Sequence, residues 1–154
     1  MKLQIIKGDL LLATDEIICH QVNCRGVMGS GVAKALYTKW PEIKSEYHKY
    51  CNKVSDPFSL LGKIQEVRAD NGGKKVINIF GQLNYGKHSG VTYTSYPALL
   101  NAFTELNKVC AGKRIAFPHG FGCGLAGGDW AIVERLMCEI LQDCYVTVYM
   151  KGED

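Results

Sequence analysis

Two glycine-rich loops, each lying between a strand-like run and a helix-like run, constrain the fold of this chain more than any other feature. The first glycine loop covers residues 23–31 and the second covers residues 119–128. Glycines permit positive φ angles and let backbone N–H groups approach an anion, and a following helix adds unpaired N–H groups. In an open α/β sheet such loops lie at the carboxyl ends of strands. The pair of loops predicts a site that binds both phosphates of a diphosphate. The alternative is that the two loops are tight turns that bind no ligand.

The first glycine loop differs from the two common nucleotide-binding fingerprints. Gly26, Gly29 and Gly31 read G-x-x-G-x-G after the second strand-like run, whereas the dinucleotide fingerprint reads G-x-G-x-x-G after the first strand. Lys34 lies three residues beyond Gly31, so the Gly-Lys-Ser/Thr sequence of a Walker loop is absent as well. The loop therefore belongs to neither of these two classes.

Strand-like and helix-like runs alternate along the chain, which predicts a layered α/β/α domain. The "NGG" sequence at residues 71–73 joins two strand-like runs, so we expect a β-hairpin and a mixed central sheet. Glycines predict an irregular loop over residues 81–93, and Thr94 or Ser95 caps the helix that follows. Apolar spacing turns two groups of residues inward, namely Leu99, Ala102, Phe103, Leu106 and Val109, and then Ile132, Val133, Leu136 and Ile140.

The composition is typical of a soluble globular protein, and we expect residues 1–154 to form a single domain. The chain has 154 residues, of which 47% are hydrophobic and 21% charged. Its net charge of +3 comes from dispersed basic residues and does not indicate a nucleic-acid-binding surface. There is no signal-peptide pattern and no apolar run near the ~18 residues that cross a bilayer. These features predict a cytoplasmic protein without a membrane partner.

The chain has 7 cysteines and no C-x-x-C pair. Most of them lie within apolar strand or helix patterns, which favours reduced, buried thiols. A zinc site built from Cys19, His20 and Cys24 is the alternative, but such sites need a second ligand pair and the sequence offers none. We therefore predict no metal and no cofactor.

Three segments carry a resemblance to a known family. "KGDL" at Lys7–Leu10, "HQVNCRGVMGSGVAKAL" at His20–Leu36 and "GFGCGLAGGDW" at Gly120–Trp130 resemble the macrodomain. The last segment is similar to the branch that contains ADP-ribose-1″-phosphate phosphatases and terminal ADP-ribose glycohydrolases. The resemblance covers nearly the whole chain in order. It implies a three-layer α/β/α fold with a mixed central sheet and an ADP-ribose cleft across the strand ends.

The resemblance also implies the ligand contacts. Asp9 would accept from the adenine amino group beside the Leu10 backbone, and Asn23 would hold the distal ribose, for which an amide can donate and accept at once. Without the family, Asp9 and Asn23 are equally typical of turns. Tyr149 is the candidate aromatic near adenine, with a core tyrosine as the alternative. The remaining implied ligand residues are Gly29, Ser30, Gly31 and Val32 in the first loop, Gln82 near the distal ribose, and Gly122, Cys123, Gly124 and Leu125 in the second loop.

The chain departs from the glycohydrolase members at the positions that carry their chemistry. Gln82 stands near the site of their catalytic Lys, and Ala126 stands where their Asp lies in the second loop. Lys87 could replace that Lys only if its loop folds back, and an exposed loop lysine is the alternative. The resemblance therefore argues against lysine-dependent removal of ADP-ribose from protein glutamate.

The phosphatase-like members share a histidine with this chain at His20, three residues before Asn23. His20 could orient water or protonate a leaving oxygen, or it could be a hydrogen-bonded strand histidine. Asp129 could be a general base or a helix cap, and Cys123 a nucleophile or a small loop residue. The candidate catalytic residues are thus His20, Asn23 and Asp129.

The expected activity is hydrolysis of ADP-ribose-1″-phosphate to ADP-ribose and phosphate. The alternatives are a non-catalytic reader of ADP-ribose and a hydrolase that removes ADP-ribose from protein or nucleic acid. The expected partners are ADP-ribose, ADP-ribose-1″-phosphate and ADP-ribosylated macromolecules.

Overall fold

The computed structural model describes residues 2–152, with the side chain of residue 2 excluded, and it contains six strands and four α-helices in that range. The elements follow the predicted alternation closely. In chain order they are β1 Lys2–Lys7, β2 Ile17–Asn23, α1 Gly31–Lys39, α2 Glu42–Asn52, β3 Ile64–Ala69, β4 Lys74–Gln82, α3 Tyr96–Val109, β5 Arg114–Pro118, α4 Trp130–Ile140 and β6 Tyr145–Met150. Three short 3-10 turns, at Leu10–Leu12, Pro57–Leu60 and Asp70–Gly72, connect them.

The strands form one mixed sheet in the order β1-β6-β5-β2-β4-β3. Every neighbouring pair is parallel except β3 and β4, which pair antiparallel through the predicted "NGG" hairpin. The mixed α/β architecture is therefore confirmed. Strand β2 lies at the centre between β5 and β4. The next two strands of the chain, β3 and β4, lie on one side of β2, whereas the later strands β5 and β6 lie on the other side. Such a reversal of strand order is where open α/β sheets bind ligands.

Each face of the sheet has its own hydrophobic core, which makes the domain a three-layer sandwich. One core packs α3 and α4 onto the sheet through Leu99, Phe103, Leu106, Val133 and Met137. The other packs α1 and α2 onto the opposite face through Leu36, Trp40, Ile43 and Tyr47. Successive residues of β2 serve the two cores in turn, because side chains alternate across a strand.

Two predicted inward positions are wrong. Val109 is 47% exposed and Ile132 is 41% exposed, whereas Cys110 and Met137 are buried near them. In α4 the buried stripe runs through Val133 and Met137, four residues apart, which places Ile132 at its edge. Apolar residues at both flanks of a stripe look alike in a sequence, and only the helix rotation distinguishes them.

The predicted loop over residues 81–93 begins later than expected, because β4 continues to Gln82. Gly81 is a strand residue here, and a Cβ at this position would lie 2.3 Å from the Gln21 Oε1 atom and 2.7 Å from the Leu99 side chain. Its carbonyl accepts from the Ser95 backbone N–H at 2.8 Å. Ser95 itself caps α3 by accepting from the Ala98 N–H. The glycine thus permits close packing rather than breaking the strand.

Within residues 2–152 there is no helix that combines the length and the apolar character needed to span a bilayer.

Candidate functional site

A cleft of ≈ 490 Å³ opens at the carboxyl ends of β2, β4 and β5. That volume falls within the usual range for small-molecule sites. Both glycine loops and the first turn of α1 border it. The lining residues are His20 to Asn23, Val27 to Ala33, Gln82, Tyr85 to Lys87, Pro118 to Gly122, and Gly124 to Ala126. The structure thus brings the two predicted loops to one site.

Two glycines that line the cleft are required neither by the backbone conformation nor by packing. Gly29 and Gly124 lack a positive φ, and no protein atom lies within 4 Å of the position that a Cβ would take at either residue. A side chain there would extend toward the cleft. Gly31 and Gly122 differ, because their φ angles of 60° and 72° favour glycine on conformational grounds. At Gly29 and Gly124 the missing side chain therefore leaves open space at the cleft, so that a ligand can approach the backbone closely.

The first turn of α1 adds an uncapped helix N-terminus to the cleft. Ser30 occupies the N-cap position, but its side chain makes no capping hydrogen bond, whereas Ser95 and Asp129 cap α3 and α4. Gly31, Val32 and Ala33, whose N–H groups precede the first helical hydrogen bond of α1, all line the cleft. An anion is the ligand that such a turn binds best.

Asn23 organises the first glycine loop from within. Its Oδ1 accepts from the Arg25 backbone N–H at 2.9 Å, and its Nδ2 donates to the Val27 carbonyl at 2.7 Å. The buried Tyr47 hydroxyl lies 2.7 Å from the Asn23 carbonyl and 3.0 Å from Oδ1. The side chain therefore holds the loop in shape, and its Nδ2 makes one hydrogen bond among the described residues. The ribose-binding role of Asn23 stays a prediction.

Hydrogen bonds that begin at Gln21 hold the second glycine loop in place. The Gln21 Nε2 donates to Thr94 Oγ1 and to Gln82 Oε1, both at 2.9 Å, and the Thr94 hydroxyl donates to the Gly122 carbonyl at 2.6 Å. A Cβ at Gly122 would lie 2.8 Å from Gln21 Oε1. The strand that leads into the first loop thus positions the second loop as well. The sequence carries no signal for this role of Gln21, because nothing in it pairs Gln21 with Thr94.

His20 lies at the base of the cleft, and it is 1% exposed. Its Nε2 hydrogen-bonds the Asn78 Oδ1 atom. Burial lowers the pKa of His20 from 6.5 to about 4, and the Asn78 hydrogen bond offsets this only in part. The imidazole is therefore neutral at neutral pH. Both of its predicted environments are present, since it is a hydrogen-bonded strand histidine that also borders the cleft.

The positions that carry glycohydrolase chemistry hold uncharged groups. Gln82 accepts from Gln21 Nε2 and donates from Nε2 to the Asn84 carbonyl at 2.8 Å, so both ends of its amide are engaged. Ala126 borders the cleft and its carbonyl accepts from the Tyr93 and Thr94 N–H groups. Neither residue can act as a nucleophile or as an acid.

Asp129 and Cys123 lie outside the set of cleft-lining residues. Asp129 Oδ1 accepts from the Ala131 N–H at 2.9 Å, so the helix-cap interpretation is confirmed and the general-base prediction finds no support. The Cys123 thiol donates to the Phe121 carbonyl, and burial together with the Asp129 carboxylate raises its pKa to about 11. A thiol of that pKa is a poor nucleophile at neutral pH.

The predicted adenine contacts each make interactions within the fold. Asp9 Oδ1 caps the turn at Leu10–Leu12 by accepting from the Leu11 N–H, and Leu10 is buried. The Tyr149 hydroxyl donates to Asp15 Oδ1 at 2.6 Å, which fits a tyrosine anchored in the fold. None of Asp9, Leu10 and Tyr149 is among the cleft-lining residues, so their ligand roles stay predictions.

Two further lining residues are Lys87, for which the sequence left a folded-back loop and an exposed loop lysine as alternatives, and His119, which the sequence did not single out. The loop after β4 folds back, so that Tyr85, Gly86 and Lys87 border the cleft although the Lys87 side chain is exposed. The His119 ring contacts Trp130 with 4.7 Å between ring centroids. His119 follows β5 directly, and it reaches the cleft because β5 lies beside β2 in the sheet. The sequence does not show that these two strands are neighbours.

The zinc alternative fails on geometry. Cys19 packs into the core under α3 and α4, whereas Cys24 packs into the core under α1 and α2. Within residues 2–152 there is no group of three or more His, Cys, Asp or Glu side chains that could hold a metal ion. All seven cysteines are free thiols.

Comparison with known proteins identifies relatives over most of the chain. The family model described as Macro domain matches residues 19–137. An ADP-ribose 1″-phosphate phosphatase of Aspergillus oryzae is 43% identical, with 97% of this chain and 94% of that protein covered. A DNA ADP-ribosyl glycohydrolase of Mycobacterium tuberculosis is 30% identical over 88% of this chain, which spans only 37% of that relative's length.

Solved structures agree with this result. The macrodomain of Mycobacterium tuberculosis DarG superimposes with a TM-score of 0.78 at 26% sequence identity, and the match covers 97% of this chain and 98% of that one.

Proposed function

Because this chain belongs to the macrodomain family, we propose that it binds ADP-ribose in the cleft and hydrolyses ADP-ribose 1″-phosphate to ADP-ribose and phosphate. Relatives named for that phosphatase activity and others named for ADP-ribosyl glycohydrolase activity both support a hydrolase. The two chemistries differ in the bond that is cut, and the residues of the cleft discriminate between them.

The observation that carries the proposal is the pair of open glycine faces at Gly29 and Gly124. They belong to different loops of the same cleft, and neither is explained by the fold of the protein alone. Together with the uncapped first turn of α1, they offer backbone N–H donors to an anionic group. A diphosphate has acceptor oxygens on both phosphorus atoms and can use donors from the two loops at once.

The charge of the cleft favours a phosphorylated end. Among its lining residues there is no Asp or Glu, and Lys87 is the single Lys or Arg. A ribose 1″-phosphate adds about two negative charges beyond the diphosphate at neutral pH, so a nearby cation gains importance. A carboxylate in the same place would repel it. Lys87 is therefore the group that we assign to the terminal phosphate.

Water attacks phosphorus as the bond between phosphorus and the 1″-oxygen breaks, and the proton that the water loses ends on the departing 1″-oxygen, so that the products are ADP-ribose and phosphate. His20 assists by accepting a hydrogen bond from the attacking water and relaying its proton, and general acid–base assistance of this kind typically contributes about 10²- to 10⁴-fold. Cleavage of an N- or O-glycosidic link to a macromolecule is the second candidate, because Gln82 and Ala126 supply neither a nucleophile nor an acid and Lys87 is the one lysine at the cleft that could replace the missing catalytic Lys. The protein requires no metal or cofactor for these steps as proposed.

The test measures phosphate release from ADP-ribose 1″-phosphate by the purified protein. A panel of ADP-ribosylated DNA and ADP-ribosylated protein is run beside it. We expect phosphate release and no release of ADP-ribose from the macromolecules. Release from DNA instead would assign the glycohydrolase activity, and calorimetric binding of ADP-ribose without any turnover would assign a reader.

Two matched pairs of variants test the assigned roles. Gly124→Val places a side chain in the cleft and should weaken ADP-ribose binding by tenfold or more, about 1.4 kcal/mol. Gly152→Val is its control, because Gly152 also has an ordinary φ and no protein atom near its Cβ position but lies outside the cleft. Lys87→Ala should raise the KM for ADP-ribose 1″-phosphate by a larger factor than it raises the Kd for ADP-ribose. Lys108→Ala, on the exposed surface of α3, should change neither the KM nor the Kd. Equal effects of both lysine changes would refute the role of Lys87.

A further inference from the structure

Three buried polar side chains form a ladder across the sheet from the base of the cleft. His20, Asn78 and Gln65 are direct register partners on the adjacent strands β2, β4 and β3. They are 1%, 0% and 8% exposed, respectively. Residues directly opposite each other point to the same face of a sheet, here the face covered by α1 and α2. A polar row in an otherwise apolar core is costly unless each group finds a partner.

The hydrogen bonds of the ladder run in one direction because its outer end is a backbone carbonyl. The Glu46 carbonyl of α2 can only accept, and the Gln65 Nε2 donates to it at 3.0 Å. The Gln65 Oε1 atom therefore faces Asn78 and accepts from its Nδ2 at 2.9 Å. This leaves Asn78 Oδ1 turned toward His20. Since an amide oxygen can only accept, His20 Nε2 must carry the proton.

The other ring nitrogen of His20 then has a free lone pair. His20 Nδ1 is buried and makes no hydrogen bond within the described residues 2–152. A buried acceptor without a partner costs about 1–3 kcal/mol, so its persistence calls for an explanation. His20 borders the cleft, so a sugar hydroxyl or a water admitted beside the ring, where Nδ1 has almost no exposed surface, would donate to it.

We propose that Asn78 and Gln65 are positioning residues, which hold His20 as the Nε2–H tautomer so that Nδ1 accepts a hydrogen bond from the ligand or the attacking water. The inference rests on the proposed function for the identity of that donor, while the tautomer itself follows from the ladder alone. Neither Asn78 nor Gln65 lines the cleft, so both act through His20.

The ladder changes the chemical role of His20. A neutral imidazole with a bare Nδ1 orients a donor or takes a proton, and it does not protonate a leaving oxygen. Its direct partners are uncharged on every side of the ladder. Asn78 and Gln65 are amides, and Glu46 contributes its carbonyl while its carboxylate pairs with Lys49. The other charged or titratable groups that line the cleft are Tyr85, Lys87 and His119.

Nuclear magnetic resonance of the ¹⁵N-labelled protein reads the tautomer directly. Long-range ¹H–¹⁵N correlations distinguish a protonated Nε2 from a protonated Nδ1 in each of the 4 histidines. A His20→Gln spectrum assigns the His20 signals. We expect Nε2–H and a bare Nδ1 at neutral pH, and a shift of the Nδ1 resonance when ADP-ribose is added. A protonated Nδ1, or an Nδ1 resonance unmoved at saturating ADP-ribose, would overturn the proposal.

Two variants separate positioning from simple structural support. Gln65→Leu frees the Asn78 amide to flip, so we expect a second tautomer to appear and kcat to fall by about tenfold with little change in KM, part of the usual contribution of a general base. In Asn78→Asp the new carboxylate can only accept a hydrogen bond, so the Nε2–H tautomer should persist. Its negative charge favours the protonated imidazole, so the acid limb of the pH–rate profile should move to higher pH. Unchanged tautomers and kcat in Gln65→Leu would refute the role of the ladder. Wild-type protein that turns over no substrate yet shows the expected tautomer and ADP-ribose shift would refute the proposed function and leave the ladder intact.

Discussion

Burial of His20 makes a quantitative prediction about stability and pH. The pKa of this residue is about 4 in the folded chain, against 6.5 for an unperturbed histidine. The unfolded chain therefore binds a proton more readily than the folded chain does. Linkage makes the resulting stabilisation fully present above the unfolded pKa, and it is lost as the pH falls toward the folded pKa.

The size of the effect follows from the two pKa values. Each unit of difference corresponds to about 1.4 kcal/mol, so the full contribution is on the order of 3 kcal/mol. Between about pH 7 and about pH 5 the chain should lose roughly 2 kcal/mol through this residue alone. A typical domain has only about 5–15 kcal/mol in total, so the loss is measurable.

The assay is urea denaturation of the wild type and of His20→Gln at several pH values. Other titrating groups affect both proteins equally, so the difference between their unfolding free energies isolates His20. We expect that difference to shrink by roughly 2 kcal/mol from about pH 7 to about pH 5. A difference that stays constant over this range would show that His20 is not buried in its neutral form, and the electrostatic argument would be wrong.

Three other variants test contacts that support the site. Asp129→Ala removes the α4 cap and should lower the unfolding free energy by about 1 kcal/mol in urea denaturation, without weakening ADP-ribose binding; a large loss of affinity would return Asp129 to the site. Gly81→Ala places a Cβ against Gln21 and should cost about 1–3 kcal/mol by the same assay, because the strand has no room for it. Tyr47→Phe removes the hydroxyl that holds Asn23, so it should destabilise the chain by about 1–2 kcal/mol and speed amide hydrogen exchange in the first glycine loop. Exchange as slow as in the wild type would contradict that role.

The elements of the fold were predictable because each has a local cause. The "NGG" turn joins β3 to β4, Ser95 and Asp129 cap their helices, and every strand-like run became a strand. These signals depend on neighbours along the chain, so they survive without tertiary information. Errors occurred where rotation about a helix axis decides exposure, as at Val109 and Ile132, or where a glycine serves packing, as at Gly81.

The sequence by itself determined the α/β class, the family and the two glycine loops that border the cleft, since motif spacing and periodicity are properties of the chain. Only the tertiary structure decided which polar side chains face the cleft. It left Asp129 and Cys123 out of the cleft lining, brought the loop of Lys87 to the cleft, and joined His20 to Asn78 and Gln65 across three strands. Those contacts link residues up to 58 positions apart, and strand register, which no local pattern specifies here, sets them.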